Sequence, residues 1–399
     1  MKISILTVLY EQIVDDFYQY HSHSNTSYTE QKQEFDNTVS LWATGWNRAL
    51  LKCGHEVLTI TINAHQLQAA WAQENGFPST DSKQIALEQI RRFKPDVLWY
   101  DYFDIPLLKE IKSSVSSLRL VLGWTGSAIV SYNVFQEIDL VISCAPEAVQ
   151  TLHDYGIKAY HLHHAFDPYI ISSIQKKQKH YGVTFVGQIV RGREFHTERE
   201  RLLKRLAVEV ELSIFSPAYS LGIKDVLLTP IRQAAYLLAR PIHWFGATSF
   251  FHDIERLRKI LELRERPNFP FDRNLKSKLK PPVFGINMYQ CLSDSQAVLN
   301  IHADSSPLHA SNMRLFETTG IGTCLVTDWR QNINELFIED EEVVTYRSIE
   351  DCVNKLKWLM NIPLHAEKIA ERGQHRTLRD HTYDVRSTQL LEIIHKAMK

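Results

Sequence analysis

The chain has 399 residues, enough for two domains of ordinary size, and 44% of them are apolar, enough for a large core. With 45 Lys+Arg against 46 Asp+Glu it is almost neutral, which argues against a nucleic-acid partner, since such proteins normally carry a clear basic excess. The cysteines, Cys53, Cys144, Cys291, Cys324 and Cys352, are odd in number, far apart and without a CxxC pair, so neither a disulfide framework nor a zinc site is expected and a reduced cytoplasm fits.

The first ten residues contain an apolar run too short for a signal peptide, and it reads as a buried first strand. No window is long and apolar enough for a membrane span. Strands are expected at Ile3–Leu9, Glu56–Ile62, Val97–Tyr100, Leu118–Trp124, Leu140–Ser143 and Ala159–His161. They are short, apolar and bounded by turn signals, as buried parallel strands are. Helical patterns lie between them, among them Ser40–Lys52 closed by Gly54 and Pro146–Tyr155 closed by Gly156. No motif reads the stretch Asp15–Phe35, which is taken as acceptor-recognition loops. His21 and His23 alternate there without carboxylate or Cys partners, so no metal site is expected.

The pattern restarts at Tyr181–Gly187, a strand ending in glycine, followed by a charged helix over Thr197–Leu206 and a strand at Glu211–Phe215. The stretch 217–282 breaks the rhythm with an aromatic run, Tyr236 to Phe245, and a basic helix, Ile254–Arg266. It reads as a helical insertion packing on its own domain. The alternative is a peripheral membrane or subunit contact through 236–266. Strands return at Ala297–His302, Thr323–Thr327 and Val343–Tyr346. A capping-box-like Ser348–Asp351 opens one helix, Pro363 the next, and Thr382 caps the last, Tyr383–Met398.

This order predicts an α/β fold with two Rossmann-like domains facing a cleft and a helical insertion in the second. The boundaries are an N-terminal domain over 1–167, a second domain over 168–380, and a helix over 381–399. The segment Asn312–Asp328 carries the most chemistry. A polar run leads into a short amphipathic helix bearing Arg314 and Glu317, Gly320 and Gly322 end it, and an apolar strand follows. A helix N-terminus offers N–H groups and a positive dipole end to an anion, and a carboxylate one turn on can accept two ribose hydroxyl bonds. That suits a nucleotide diphosphate. Ser311 and Asn312 stand where an N-cap belongs.

These stretches resemble bacterial family 1 glycosyltransferases of the spore-maturation-protein kind. The resemblance rests on Asn312, Arg314, Phe316, Glu317 and Gly322, on Phe185-Val186-Gly187 with Arg191 or Arg193 beyond it, on His164 to Pro168 as a hinge, and on Ile369–Gln374 with His381–Arg386. It covers roughly 181–391 well, apart from the insertion, and the N-terminal domain only loosely. It implies a GT-B architecture, a nucleotide-sugar donor, a glycan or other hydroxyl acceptor, no cofactor and no essential metal. It also implies a last helix that crosses back to the N-terminal domain. One departure concerns relatives with two Glu separated by seven residues: the position eight before Glu317 is His309.

The donor set is therefore Gly187, Arg191, Arg193, His309, Ser311, Asn312, Arg314 and Glu317. Arginines balance a diphosphate and stabilise the leaving group, and Gly187 admits it close to the backbone. A base should come from the ends of the first strands, where Asp101, Asp104, His163 and His164 are the candidates. Trp124, Thr125 and Gly126 stand at another strand end, on the acceptor side. The expected activity is sugar transfer in surface polysaccharide, glycoconjugate or spore-coat synthesis, in the cytoplasm or at the inner membrane face. The alternative is a catalytically silent nucleotide-sugar-binding scaffold. An oxidoreductase is disfavoured, because Tyr10-Glu11-Gln12-Ile13, not a GxGxxG loop, follows the first strand.

Overall fold

The computed structural model describes residues 1–20, 26–126, 132–175, 178–189, 197–220, 227–234, 236–237, 273–302 and 306–399. His21, His23, Arg191, Arg193, Ser127, the run 238–245 and the helix expected over 254–266 lie outside the described residues. The expected fold class is present: twelve strands form two parallel six-stranded sheets. The first has the order β2-β1-β3-β4-β5-β6, with β1 at Lys2–Thr7, β2 at Glu56–Thr61, β3 at Val97–Tyr100, β4 at Leu120–Thr125, β5 at Leu140–Ser143 and β6 at Ala159–His161. The central strands β3, β4 and β5 are buried throughout, which is why they read as continuous apolar runs.

The chain divides into two compact units, 1–180 with 284–399, and 181–283. The first unit holds the whole first sheet and three strands of the second, β10 at Ser295–Asn300, β11 at Cys324–Asp328 and β12 at Val344–Tyr346. The second unit holds β7 at Tyr181–Val186, β8 at Leu212–Phe215 and β9 at Leu279–Lys280. The two-residue β9 pairs in parallel with β8, Ile214 opposite Leu279, inside the stretch expected to be insertion. Its Pro/Lys-rich surroundings hid it, and its brevity leaves no periodicity to read.

The stretch Asp15–Phe35, expected as loops, is corrected: its described residues fall mostly in the helices Glu11–Tyr20 and Tyr28–Thr38. Ser27 accepts from the Glu30 N–H while Glu30 accepts from the Ser27 N–H, a reciprocal capping box that was legible in the sequence. The caps expected at Ser348 and Thr382 are both made. Gly54 and Gly156 take positive φ, 80° and 72°, just past their helices.

Within the first unit the chain crosses at residue 166. The Phe166 N–H donates to His381 O at 2.9 Å, and the Tyr383 N–H donates to Phe166 O at 3.1 Å. The Phe166 ring is fully buried and occupies the space into which a side chain at Gly320 would project. Tyr383 fills the equivalent space at Gly45 and stacks edge-on against Trp46 at 5.1 Å. The last helix, Tyr383–Met398, thereby packs its buried face, with Leu390 and Ile394, into the core that holds Ile3, Ile5 and Trp99. Arg48 adds an ion pair with Asp167 at 2.5 Å. Gly320→Ala should force its methyl group into the Phe166 ring and destabilise the chain by about 1–3 kcal/mol, as overpacked cores do. A denaturant midpoint equal to that of the unaltered chain would contradict this packing.

Candidate functional site

In parallel α/β sheets, ligands gather beyond the carboxyl ends of the strands. At that edge of β10 and β11, the connecting helix Arg314–Gly320 buries six of its seven residues, Leu315 to Gly320. Glu317 is 4% exposed, and its Oε2 lies 2.7 Å from Arg314 Nη1. Among the described residues no N–H points along a hydrogen-bond direction at that oxygen, so the contact is ionic and Oε2 keeps its acceptor capacity. The Tyr289 hydroxyl donates to Oε1 at 3.3 Å. Burial first, then the Glu317 charge, push the Tyr289 phenol well above its ordinary value, so it remains a donor. Arg314 Nη1 also contacts Met288 Sδ at 3.0 Å.

Two expectations for this segment are corrected. Neither Ser311 nor Asn312 caps the helix, whose N-cap position is Met313 without a side-chain bond. Asn312 is drawn to the sheet instead, its Nδ2 donating to Asn300 Oδ1 at 2.9 Å and to Ile301 O at 3.3 Å, and Ser311 is buried beside it. Nor are the first-turn N–H groups beyond Arg314 open to a diphosphate. The Leu315 N–H bonds to Asn312 O, and those of Phe316 and Glu317 bond to Met313 O. The side chains of Arg314 and Glu317 remain as the chemistry of this helix.

His309 sits in the loop before it, with Nδ1 3.2 Å from Glu147 Oε1. Sequence reading missed Glu147, which lies at the start of the helix Pro146–Asp154 after β5. Its carboxylate accepts from Ser306 Oγ at 3.0 Å, Leu308 N at 2.9 Å and His309 N at 3.1 Å. Burial works against its charge, but backbone N–H groups, its own and that of Leu308, together with His309 and Ser306, outweigh it and hold the carboxyl below its usual value. The only local signal was a Glu in a first helical turn. Its partners lie about 160 residues on.

On the first sheet, Asp101 stands one residue past β3. Its N–H donates to Leu6 O, and its Oδ2 accepts from Thr7 Oγ1 at 2.9 Å. Burial pushes its carboxyl up to about 7, against a smaller lowering by the Thr7 bond. Asp104 is placed differently. It caps the helix Ile105–Ser114 through Oδ1 and the Leu107 N–H, and Lys83 Nζ lies 2.5 Å from Oδ2. Both its oxygens are engaged.

Trp124, Gly126 and His164 come together. The Trp124 and His164 rings meet at 5.2 Å, and a Cβ at Gly126 would lie 3.3 Å from Trp124 Nε1 and 3.9 Å from His164 Nε2. Thr125 is buried, its carbonyl accepting from Ser143 Oγ. Burial, then the Arg386 charge, lower His164 to about 4, so its ring is neutral near pH 7. His163 is lowered further, by burial and then by His161.

In the second unit, Gly187 follows β7 and its N–H donates to Phe215 O at 3.1 Å. The arginine described beside it is Arg199, with Nη1 3.8 Å from where a Gly187 Cβ would stand and bonded to Gln188 O at 3.0 Å. Arg199 had been read only as part of a charged helix.

Among the described residues no group of three or more His, Cys, Asp or Glu could hold a metal ion, and no helix is long and apolar enough to cross a membrane. A cavity of about 370 Å³, lined by Gln296, Cys324, Glu367 and Gln374 among others, opens at the opposite, amino-terminal edge of β10 and β11. It is not the site just described.

A family model described as glycosyl transferase-like matches residues 230–392. No curated protein matches the sequence. Among solved structures, the chain is similar to sucrose-phosphate synthase from Thermosynechococcus elongatus, with a TM-score of 0.53 and 10% identity, covering 99% of this chain and 98% of that one. It is also similar to Anabaena Alr3699/HepE in complex with UDP and glucose, with a TM-score of 0.50, 13% identity, and 99% and 100% coverage. A third similar structure is an alpha-glucosyltransferase in complex with UDP and a 13-mer DNA, with a TM-score of 0.55, 13% identity, and 99% coverage of each chain. That neighbour's DNA runs against the expectation, drawn from net charge, that no nucleic acid is involved: the fold alone does not exclude one. The fold is therefore the one these structures share, and the segment 230–392 matches a glycosyl transferase-like family model.

Proposed function

We propose that the chain moves a glycosyl group, of the hexosyl kind, from a nucleotide-activated donor to an acceptor hydroxyl, without a metal or other cofactor. The observation that carries this is the buried Arg314–Glu317 pair at the carboxyl edge of β10 and β11. Glu317 accepts the donor's ribose hydroxyls through Oε2, and Arg314 balances developing phosphate charge. Asp101 is the base. Of the carboxylates past β3 it is the one poised near neutral pH, where a general base works best. Trp124, Gly126 and His164 wall the acceptor side. Residues 1–167 serve the acceptor, 168–380 the donor, and the helix over 381–399 joins them. UDP complexes among the structural neighbours support a uridine donor. Work on surface glycans or a spore coat in the cytoplasm, a spore-maturation-type kinship and a membrane or subunit contact through 236–266 belong to the same proposal.

A second reading, a binder without turnover, is favoured by one observation. The Leu308 and His309 N–H groups beside the donor helix are already occupied by Glu147.

Truncating Glu317 would leave Arg314 as a buried unpaired charge and risk the fold. Glu317→Gln keeps the shape, and it should weaken nucleotide binding about 10- to 100-fold, the worth of a charge-assisted hydrogen bond. Calorimetry with UDP, GDP and ADP measures this, and unchanged affinity for every nucleotide that binds would remove Glu317 from the site.

Asp101 gives a prediction with a defined sign. Its folded carboxyl titrates near 7, above the unfolded value, so the folded state holds the extra proton and stability falls as pH rises toward 7. Activity should move the opposite way, rising with pH and levelling above about 7. Asp101→Asn should remove that limb, lower turnover by about 10²–10⁴-fold, and make the chain more stable than its parent at pH 8. A variant with full activity and the same pH profile would rule Asp101 out as the base.

A further inference from the structure

The carboxyl ends of β10 and β11 hold a second buried group that the roles above leave unused. His302 follows β10, and its side chain has no solvent exposure. Its Nδ1 lies 2.7 Å from Asp328 Oδ1, and its backbone N–H donates to the same oxygen at 3.0 Å. Arg330 Nη2 closes on the other carboxylate oxygen at 2.6 Å. Burial opposes the Asp328 charge, but His302 and Arg330 outweigh it, and the carboxyl stays below its ordinary value. An ionised carboxylate only accepts, so the ring proton of a neutral His302 is on Nδ1. Nε2 then carries a lone pair, and it is buried without a hydrogen-bond partner among the described residues. Buried polar atoms left unmet are rare and call for a reason.

The pair is joined to the donor helix. Asn312 Nδ2 donates to Asn300 Oδ1 at 2.9 Å, and Asn300 Nδ2 donates to Thr327 Oγ1, also at 2.9 Å. Asp328 follows Thr327 directly in β11, and Asn312 stands two residues before Arg314. A purely structural role, bracing Asp328, would account for Nδ1 but leaves Nε2 unexplained.

We infer that His302 is a donor-binding residue whose Nε2 accepts a hydrogen bond from a hydroxyl of the nucleotide sugar, on its ribose or on its glycosyl group. The inference rests on the glycosyl-transfer reading of this site. Asp328 fixes the ring's tautomer, as a carboxylate behind a functional histidine does.

Two substitutions separate the ring nitrogens. His302→Asn places an amide near Nδ1, able to donate to Asp328, and nothing near Nε2. His302→Gln places an amide oxygen near Nε2. Calorimetry on the full chain uses UDP, GDP and ADP and their glucose conjugates. His302→Asn should lose about tenfold in affinity, one hydrogen bond's worth, and His302→Gln less. A loss for both nucleotide and conjugate assigns the ribose hydroxyl, and a loss for the conjugate alone assigns the glycosyl hydroxyl; either supports the inference. Affinities equal to the unaltered chain's in His302→Asn, or equal losses in both variants, overturn it. If the unaltered chain binds none of these ligands, the glycosyl-transfer reading itself falls.

Discussion

The exchange of backbone hydrogen bonds between Phe166 and residues 381–383 is the constraint on which the first unit depends. It lies where the chain leaves the first sheet and where the last helix begins, so one short crossing fixes both. The Phe166 ring then fills the space above Gly320, at the end of the helix that carries Arg314 and Glu317. The first sheet and the helix of Arg314 and Glu317 are therefore tied through a buried aromatic. A side chain at Gly320 would disturb packing and chemistry together.

Charge is distributed around that tie in a way that suits sugar transfer. The carboxyl edge of the first sheet holds Asp101, whose proton is loose near neutral pH, and the neutral ring of His164. The edge of β10 and β11 holds two carboxylates in ion pairs: Glu317 with Arg314, and Asp328 with Arg330 and His302. A group that takes a proton and groups that hold charge in place are the two things that transfer from a phosphate leaving group to a hydroxyl requires. Glu147 joins the regions by gripping the loop that carries His309.

The sequence disclosed what local patterns encode. β3, β5 and β6 fall at the expected residues, because a strand buried on both faces is an unbroken apolar run between turn residues. The Arg314–Glu317 helix and its glycine end were legible for the same reason. The Ser27–Glu30 box was equally local, but the stretch that holds it was taken as loops. Other features were out of reach in principle. Glu147 meets its loop across about 160 residues, and His302 meets Asp328 across 26. Asp101 and Asp104 look equivalent in sequence, but the fold buries the first against Thr7 and makes the second a helix cap paired with Lys83.

Transfer itself is tested most directly by the release of nucleoside diphosphate from a panel of nucleotide sugars, with and without hydroxyl acceptors, by the full chain. The expected result is release from at least one donor, accelerated by an acceptor. Tight donor binding with no release from any donor, whatever the acceptor, would contradict the account and leave the chain a nucleotide-sugar binder.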